Sequence, residues 1–141
     1  MLRQIHNYPK LIINNVDATC TDTIHRVRLI GDLERNQLAA GFLNSLTFAF
    51  AEVIGRSYGG GVLTFEPSEC ERLPIPTRGI DRIDFDQICQ LIRQDDIDSV
   101  LDITDRILLI EGLNMSEAEA RRLRKIWKKL RDRRINRKHK K

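Results

Sequence analysis

The sequence is poor in the residues that build chemistry. Its three cysteines, Cys20, Cys70 and Cys89, are odd in number and widely spaced, and no Cys-x-x-Cys pair occurs. A disulfide framework and a cysteine zinc site are therefore excluded, and a reducing, cytoplasmic compartment is expected. The histidines His6, His25 and His139 are far apart and form no metal-ligand spacing. No Gly-x-Gly-x-x-Gly opens a helix after a strand, no Gly-Lys-Ser/Thr phosphate loop is present, and no serine or cysteine sits in a nucleophile-elbow string. No apolar run approaches the roughly 20 residues that cross a bilayer, so no membrane partner is expected. The opening Met1-Leu2-Arg3-Gln4-Ile5-His6-Asn7 lacks the basic and then apolar order of a signal peptide. There is no internal repeat.

What the sequence has is charge, unevenly placed. The formal net charge is +4 over 141 residues. Residues 1–120 carry 11 Lys/Arg against 19 Asp/Glu, whereas residues 121–141 carry 13 against one. The basic excess is thus a property of the end of the chain. Residues 81–111 hold nine acids and three bases, so a polyanion-binding reading has to account for an acidic stretch beside a basic one. The length suits one modest hydrophobic core.

Hydrophobic patterning gives the expected elements. Residues 9–16 read as a strand, with Leu11, Ile12 and Ile13 continuous and Asn14-Asn15 closing them. A second strand is expected over 24–30, where Ile24, Arg26, Arg28 and Ile30 alternate with His25, Val27 and Leu29. Between them the polar residues 17–23 form a connecting loop. A long central helix is predicted over about 34–56, with Asp32 as N-cap, a stripe of Leu38, Phe42, Leu43, Leu46, Phe50, Val53 and Ile54, and Gly55 near its C-terminus. Gly59-Gly60-Gly61 makes a corner into a short strand over 62–66, which Pro67 stops. One helical turn follows, and Leu73-Pro74-Ile75-Pro76 must run extended. Helices are expected from Asp84, with a capping box to Gln87, over 98–111, and from the Ser116-Glu117-Ala118-Glu119 capping box to about Arg134. The fold class is α+β: a small β-sheet packed on a long central helix, followed by a helical C-terminal part. The expected division is an α+β core over 1–80, a helical part over 81–135 and a basic disordered tail over 136–141.

One string is specific. Gly55-Arg56-Ser57-Tyr58-Gly59-Gly60-Gly61, the short strand after it and the Leu73-Pro74-Ile75-Pro76 close resemble the C-terminal target-recognition region of bacterial adenine-N6 DNA methyltransferases of restriction–modification systems. Two further blocks carry the resemblance, residues 9–27 and the run Ile126-Trp127-Lys128-Lys129-Leu130-Arg131-Asp132-Arg133-Arg134. The resemblance implies duplex DNA as partner, with a flipped adenine received by the enzyme's catalytic domain. That family's Asn/Asp-Pro-Pro-Tyr/Phe loop and its glycine-rich methyl-donor motif do not occur here. The chain is therefore expected to bind rather than to transfer methyl groups. It would hold no cofactor of its own, S-adenosylmethionine belonging to the parent enzyme's catalytic domain, which is the second implied partner. The competing reading is a protein-interaction module that does not itself bind DNA, in which acidic helices and basic tail pair within a homodimer or dock a partner subunit.

Candidate DNA contacts follow from residue type. Arg26 and Arg28 point the same way if the segment is a strand, and guanidinium suits a phosphate or a guanine edge; the same pair also suits acids on a solvated sheet face. Thr21, in the polar loop, and Lys10 are phosphate-positioning types. Arg56, Ser57 and Tyr58 stand at the glycine corner, where Tyr58 would stack on a base or simply cover the core. His25 is expected to be half-buried and satisfied. In the last helix Arg121, Arg124, Lys125, Lys128, Arg131 and the cluster Arg133, Arg134, Arg137 and Lys138 surround a narrow apolar stripe. They either meet phosphate, with Arg124, Lys128, Arg131 and Arg134 as the candidate contacts, or neutralise the acidic helices before them.

Overall fold

The computed structural model describes residues 1–58 and 60–137. Gly59 and residues 138–141 of the expected tail lie outside the described residues. The architecture is α+β. Three two-residue strands, β1 (Gln4–Ile5), β2 (Arg56–Ser57) and β3 (Leu63–Thr64), form an antiparallel sheet in the order β1-β3-β2. Ile5 stands opposite Leu63, and Ser57 meets Leu63 from the other side. The helices are α1 (Arg35–Gly41), α2 (Ser45–Ile54), α3 (Pro67–Cys70), α4 (Phe85–Arg93), α5 (Ile97–Thr104) and α6 (Glu117–Asn136). A 3₁₀ turn at Ile80–Arg82 precedes α4, and a π-helical stretch, Asp105–Gly112, continues α5.

The sheet forms where residues 55–65 turn back on themselves. Gly60 and Gly61 take φ of +64° and +75°, the left-handed region that favours glycine. Both edges of β3 are then occupied, by β1 and β2. The two strands expected over 9–16 and 24–30 do not form. Only Ile24 makes a bridge, to Leu2, and the rest of 24–30 carries no ladder. Within 9–16, the Asn14 side chain accepts the N–H groups of Val16 and Ala18 and donates to the Ala18 carbonyl, a local polar turn that replaces a strand. Alternating hydrophobicity describes a half-buried strand only when a neighbour supplies the hydrogen bonds.

The expected helix over 34–56 is two helices bent by 73°. Asn44 breaks it. Its backbone is extended, and its side chain accepts from the Thr47 N–H at 2.9 Å and donates at 2.8 Å to both the Gly41 carbonyl and the Thr47 hydroxyl. The helix start lies at Glu34, not Asp32. The break resets the phase of the apolar face. Phe48, Ala49 and Ala51 of α2 are buried, while Phe50 and Val53, placed on the expected stripe, are exposed. Gly55 does cap α2, with its N–H on the Ala51 carbonyl, but at φ −69°; a Cβ there would stand 2.8 Å from Leu63 Cγ, so close approach rather than handedness requires glycine. Asn44→Ala removes a buried cap and two donated bonds. It is expected to cost about 2 kcal/mol in unfolding free energy, read by urea denaturation.

The π-helical stretch has a packing reason. Ile107, Leu108 and Leu109 are consecutive and all buried, which a single α-helical face cannot accommodate. Its first residue, Asp105, reaches across to α2 and accepts from the Ser45 N–H at 2.8 Å and the Ser45 hydroxyl at 2.6 Å. Burial pushes the Asp105 carboxyl up from its ordinary value, opposed by Ser45 and Arg124. The Ser116–Glu119 capping box opens α6 as expected. Asp84 caps α4 by accepting from Asp86 and Gln87 N–H groups, without the reciprocal Gln87 contact among the described residues.

Two apolar clusters result. One gathers Phe48, Ile88, Leu101, Leu108 and Trp127 with their neighbours; the other gathers Ile5, Phe42, Ala51, Leu63, Phe65 and Leu73. Helix α2 contributes to both. Trp127 of α6 lies against Phe48, ring centroids 4.9 Å apart, and Phe48 stacks on Tyr8 at 5.3 Å. The Thr47 hydroxyl donates to the Pro74 carbonyl at 2.7 Å, which fixes the two-proline segment on α2.

Candidate nucleic-acid interface

A concavity lies where the expected strands failed to pair. It encloses about 700 Å³ between residues 11–14 and 18–20 on one wall and 24–29 on the other, over a floor of Met1, Leu38 and Ala39. Arg26, Arg28 and Arg35 line it. A second cavity of about 630 Å³ opens on residues 24–28 from the side of Pro67, Cys70 and Glu71. Arg26 and Arg28 are exposed and make no salt bridge among the described residues. The alternative of a solvated face of ion pairs is not what the structure shows for them. His25 is half-buried, and its Nε2 meets the Phe65 carbonyl at 2.9 Å, the satisfied histidine that was expected. This bond, with the His25 N–H on the Met1 carbonyl, ties the start of the arginine segment to the sheet.

The other wall carries the polar loop. Thr21 is exposed and shares a 2.7 Å hydrogen bond with the Thr23 hydroxyl. Lys10 is exposed with its ammonium 6.0 Å from the Tyr8 ring centroid. Around the groove Ile12, Val27 and Ile30 are 60%, 53% and 95% exposed, a concentration of apolar surface unusual for a rim.

The glycine corner is a separate place. Neither cavity is lined by Arg56, Ser57 or Tyr58. Ser57 is exposed in β2, opposite Leu63. The Arg56 Nε donates to Glu69, and its Nη1 lies 3.5 Å from the Tyr58 hydroxyl; Tyr58 itself is 72% exposed. The Tyr58 hydroxyl and the Glu69 carboxylate hold the Arg56 guanidinium above its ordinary value. Glu69 is held below the usual carboxylate range, first by the Glu66 N–H it accepts and then by Arg56. Tyr58 therefore does not cover the core. It stands outward on a corner braced from behind.

The expected contacts of α6 turn inward. Arg124 pairs with Asp102 and Asp105, and Lys128 with Asp98, so this face of the helix neutralises α5 and the start of the π stretch. Arg131 lies over the Trp127 ring, 4.8 Å from its centroid, and pairs with Asp132. Arg134 is buried: its fork meets both Glu52 oxygens at 2.6 and 2.9 Å, and it donates to the carbonyls of His6 and Gly61. That is the geometry of an internal clamp, not of a phosphate contact. Arg122, Lys125, Lys129 and Arg133 are left facing solvent; Lys125 and Arg133 belong to the basic set expected around the apolar stripe, whereas Arg122 and Lys129 fall outside it. Their spacing of three, four and four residues, opposite Trp127, was the signal available.

Among the described residues no group of three or more His, Cys, Asp or Glu is placed to hold a metal ion. Burial pushes the Cys70 thiol up to about 11, so it stays protonated at neutral pH. No single helix among the described residues is long and apolar enough to cross a membrane.

A family model described as the C-terminal domain of the Type II methyltransferase M.Eco57I matches residues 1–109. That span holds the groove, the glycine corner and the two-proline segment, and it ends before α6. No curated protein and no solved structure matches the chain.

Proposed function

Because the chain belongs to the family of the Type II methyltransferase M.Eco57I C-terminal domain, we propose that it grips and reads duplex DNA for an adenine-N6 methyltransferase of a restriction–modification system. The observation that carries this reading is the pair Arg26 and Arg28. Both guanidinium groups are exposed and without a carboxylate partner among the described residues, and they line one wall of a groove whose opposite wall leads into hydroxyl-rich residues 17–23. Guanidinium next to hydroxyls and free backbone N–H groups is the donor set that phosphates and base edges accept. Methyl transfer itself falls to the parent enzyme's catalytic domain, with S-adenosylmethionine as its donor and the target adenine extruded from the duplex into it. The compartment of such a system is the cytoplasm.

The exposed Ile12, Val27 and Ile30 favour a second use of the same surface, as a seat for the catalytic domain. One experiment separates the two. R26Q/R28Q is expected to lower the salt dependence of duplex binding by about 2 in log–log slope, so that between 50 and 200 mM salt the parent loses roughly tenfold more affinity than the variant. An unchanged slope, with weakened association to the separately purified catalytic domain, would move the assignment to the second use.

A further inference from the structure

We infer that the outward face of α6 is a second, sequence-independent contact to the phosphate backbone of duplex DNA, made by Arg122, Lys125, Lys129 and Arg133. The inference rests on the DNA-binding reading of the groove and extends it to a helix outside the family match. The four side chains fall on one face of α6, opposite the buried Trp127, and all are exposed. None makes a salt bridge among the described residues, whereas Arg121, Arg124, Lys128, Arg131 and Arg134 on the flanks and inner face each have a carboxylate. On α6 the cations that face the rest of the chain are paired, while these four make no ion-pair contact among the described residues. Lys125 and Lys129, and Lys129 and Arg133, are like charges four residues apart, an arrangement that repels in the free protein and that a polyanion relieves.

Geometry favours duplex DNA over a diffuse polyanion contact. From Arg122 to Arg133 the stripe runs about 16 Å at 1.5 Å per residue, roughly five base-pair steps. It is held rigid from behind by Trp127 in the core and by Arg134 on Glu52. The glycine corner packs on the inner face of the same helix end, where Arg134 donates to the Gly61 carbonyl and Ile135 Cα lies 3.2 Å from where a Gly61 Cβ would stand. A membrane surface is a poorer fit, because Ile126 is the one large apolar side chain on this face.

The test compares the full chain, R26Q/R28Q and R122Q/K125Q/K129Q/R133Q for binding to random-sequence duplexes across salt. Phosphatidylserine vesicles serve as a second probe, and a melting curve of each protein confirms that it is folded. The stripe variant is expected to keep its melting midpoint and to lose 3–4 from the log–log slope on every duplex, a difference of about 150-fold in affinity loss between 50 and 200 mM salt. An unchanged slope overturns the inference, as does stripe-dependent binding to vesicles that exceeds binding to duplex at the same salt. Loss of slope in R26Q/R28Q alone sinks the stripe and leaves the groove reading standing. Loss in the stripe variant alone does the reverse. A parent chain that binds no duplex at low salt overturns both.

Discussion

Arg134→Ala is expected to lower the unfolding free energy by about 3–5 kcal/mol, the range for removing one partner of a buried ion pair. The pair is closed to solvent on both sides, with side-chain exposures of 4% for Arg134 and 3% for Glu52. The loss is larger than the interaction itself. Without the guanidinium, Glu52 is left as a buried anion, and the His6 and Gly61 carbonyls lose a donor. Three parts of the chain then come apart together, since Arg134 joins α6 to α2, to the residue after β1 and to the glycine corner. Against a total of roughly 5–15 kcal/mol for a small domain, this is a large fraction. The double variant R134M/E52L removes both charges and refills the volume, so it should recover most of the loss. Urea titrations followed by circular dichroism give both numbers. A cost for R134A below 1 kcal/mol would show that the clamp is solvated in solution. Raised salt should not imitate the substitution, because a buried pair is poorly screened.

The same residue shows what the sequence could and could not say. That α6 would form, and where it would start, was legible, because a capping box and a 3.6-residue period are local. That Arg134 points inward was not, because its partners lie far away, at Glu52, His6 and Gly61. The outward stripe was legible in principle: once Trp127 marks the inner face, the opposite side is fixed by helix geometry. In the N-terminal half the errors share one cause. Residues 24–30 alternate and 9–16 carry a continuous apolar run, both strand-like patterns of side chains, but neither pattern supplies the backbone partner a ladder needs, and only Ile24 finds one, at Leu2. The break at Asn44 was hidden because apolar residues continue on both sides of it at helical spacing, while the side chain that diverts the backbone is one polar residue among them. The groove exists because of these two departures, so the reading of periodicity that found Arg26 and Arg28 could not have found the cavity they line. The specific string from Gly55 to Pro76, by contrast, led to the family without any account of the fold.

Ending the chain at Met115 is expected to abolish cooperative unfolding. Such a fragment keeps everything the family model matches, residues 1–109, and loses α6. Two of the losses are independent. Trp127 is fully buried against Phe48, and removing a buried Trp side chain typically costs about 3–5 kcal/mol. The Arg134 clamp contributes a similar amount, and it lies seven residues further along α6, about 10 Å away, far enough for the two to add. Together they reach the whole stability of a small domain. The fragment also exposes Phe48 and leaves Asp105 without Arg124, its partner at 3.1 Å. The expected result is a broad, non-cooperative thermal profile for residues 1–115 beside a single sharp transition for the full chain. This has a consequence for function. If the fragment fails to bind DNA, the failure reports unfolding and not lost phosphate contacts, so the glutamine variants of the stripe, which leave the inner face of α6 intact, are the reagents that separate binding from folding. A fragment that melts cooperatively within a few degrees of the full chain would mean instead that the matched residues close their own core. In that case α6 is an accessory helix that acts through its basic outer face alone.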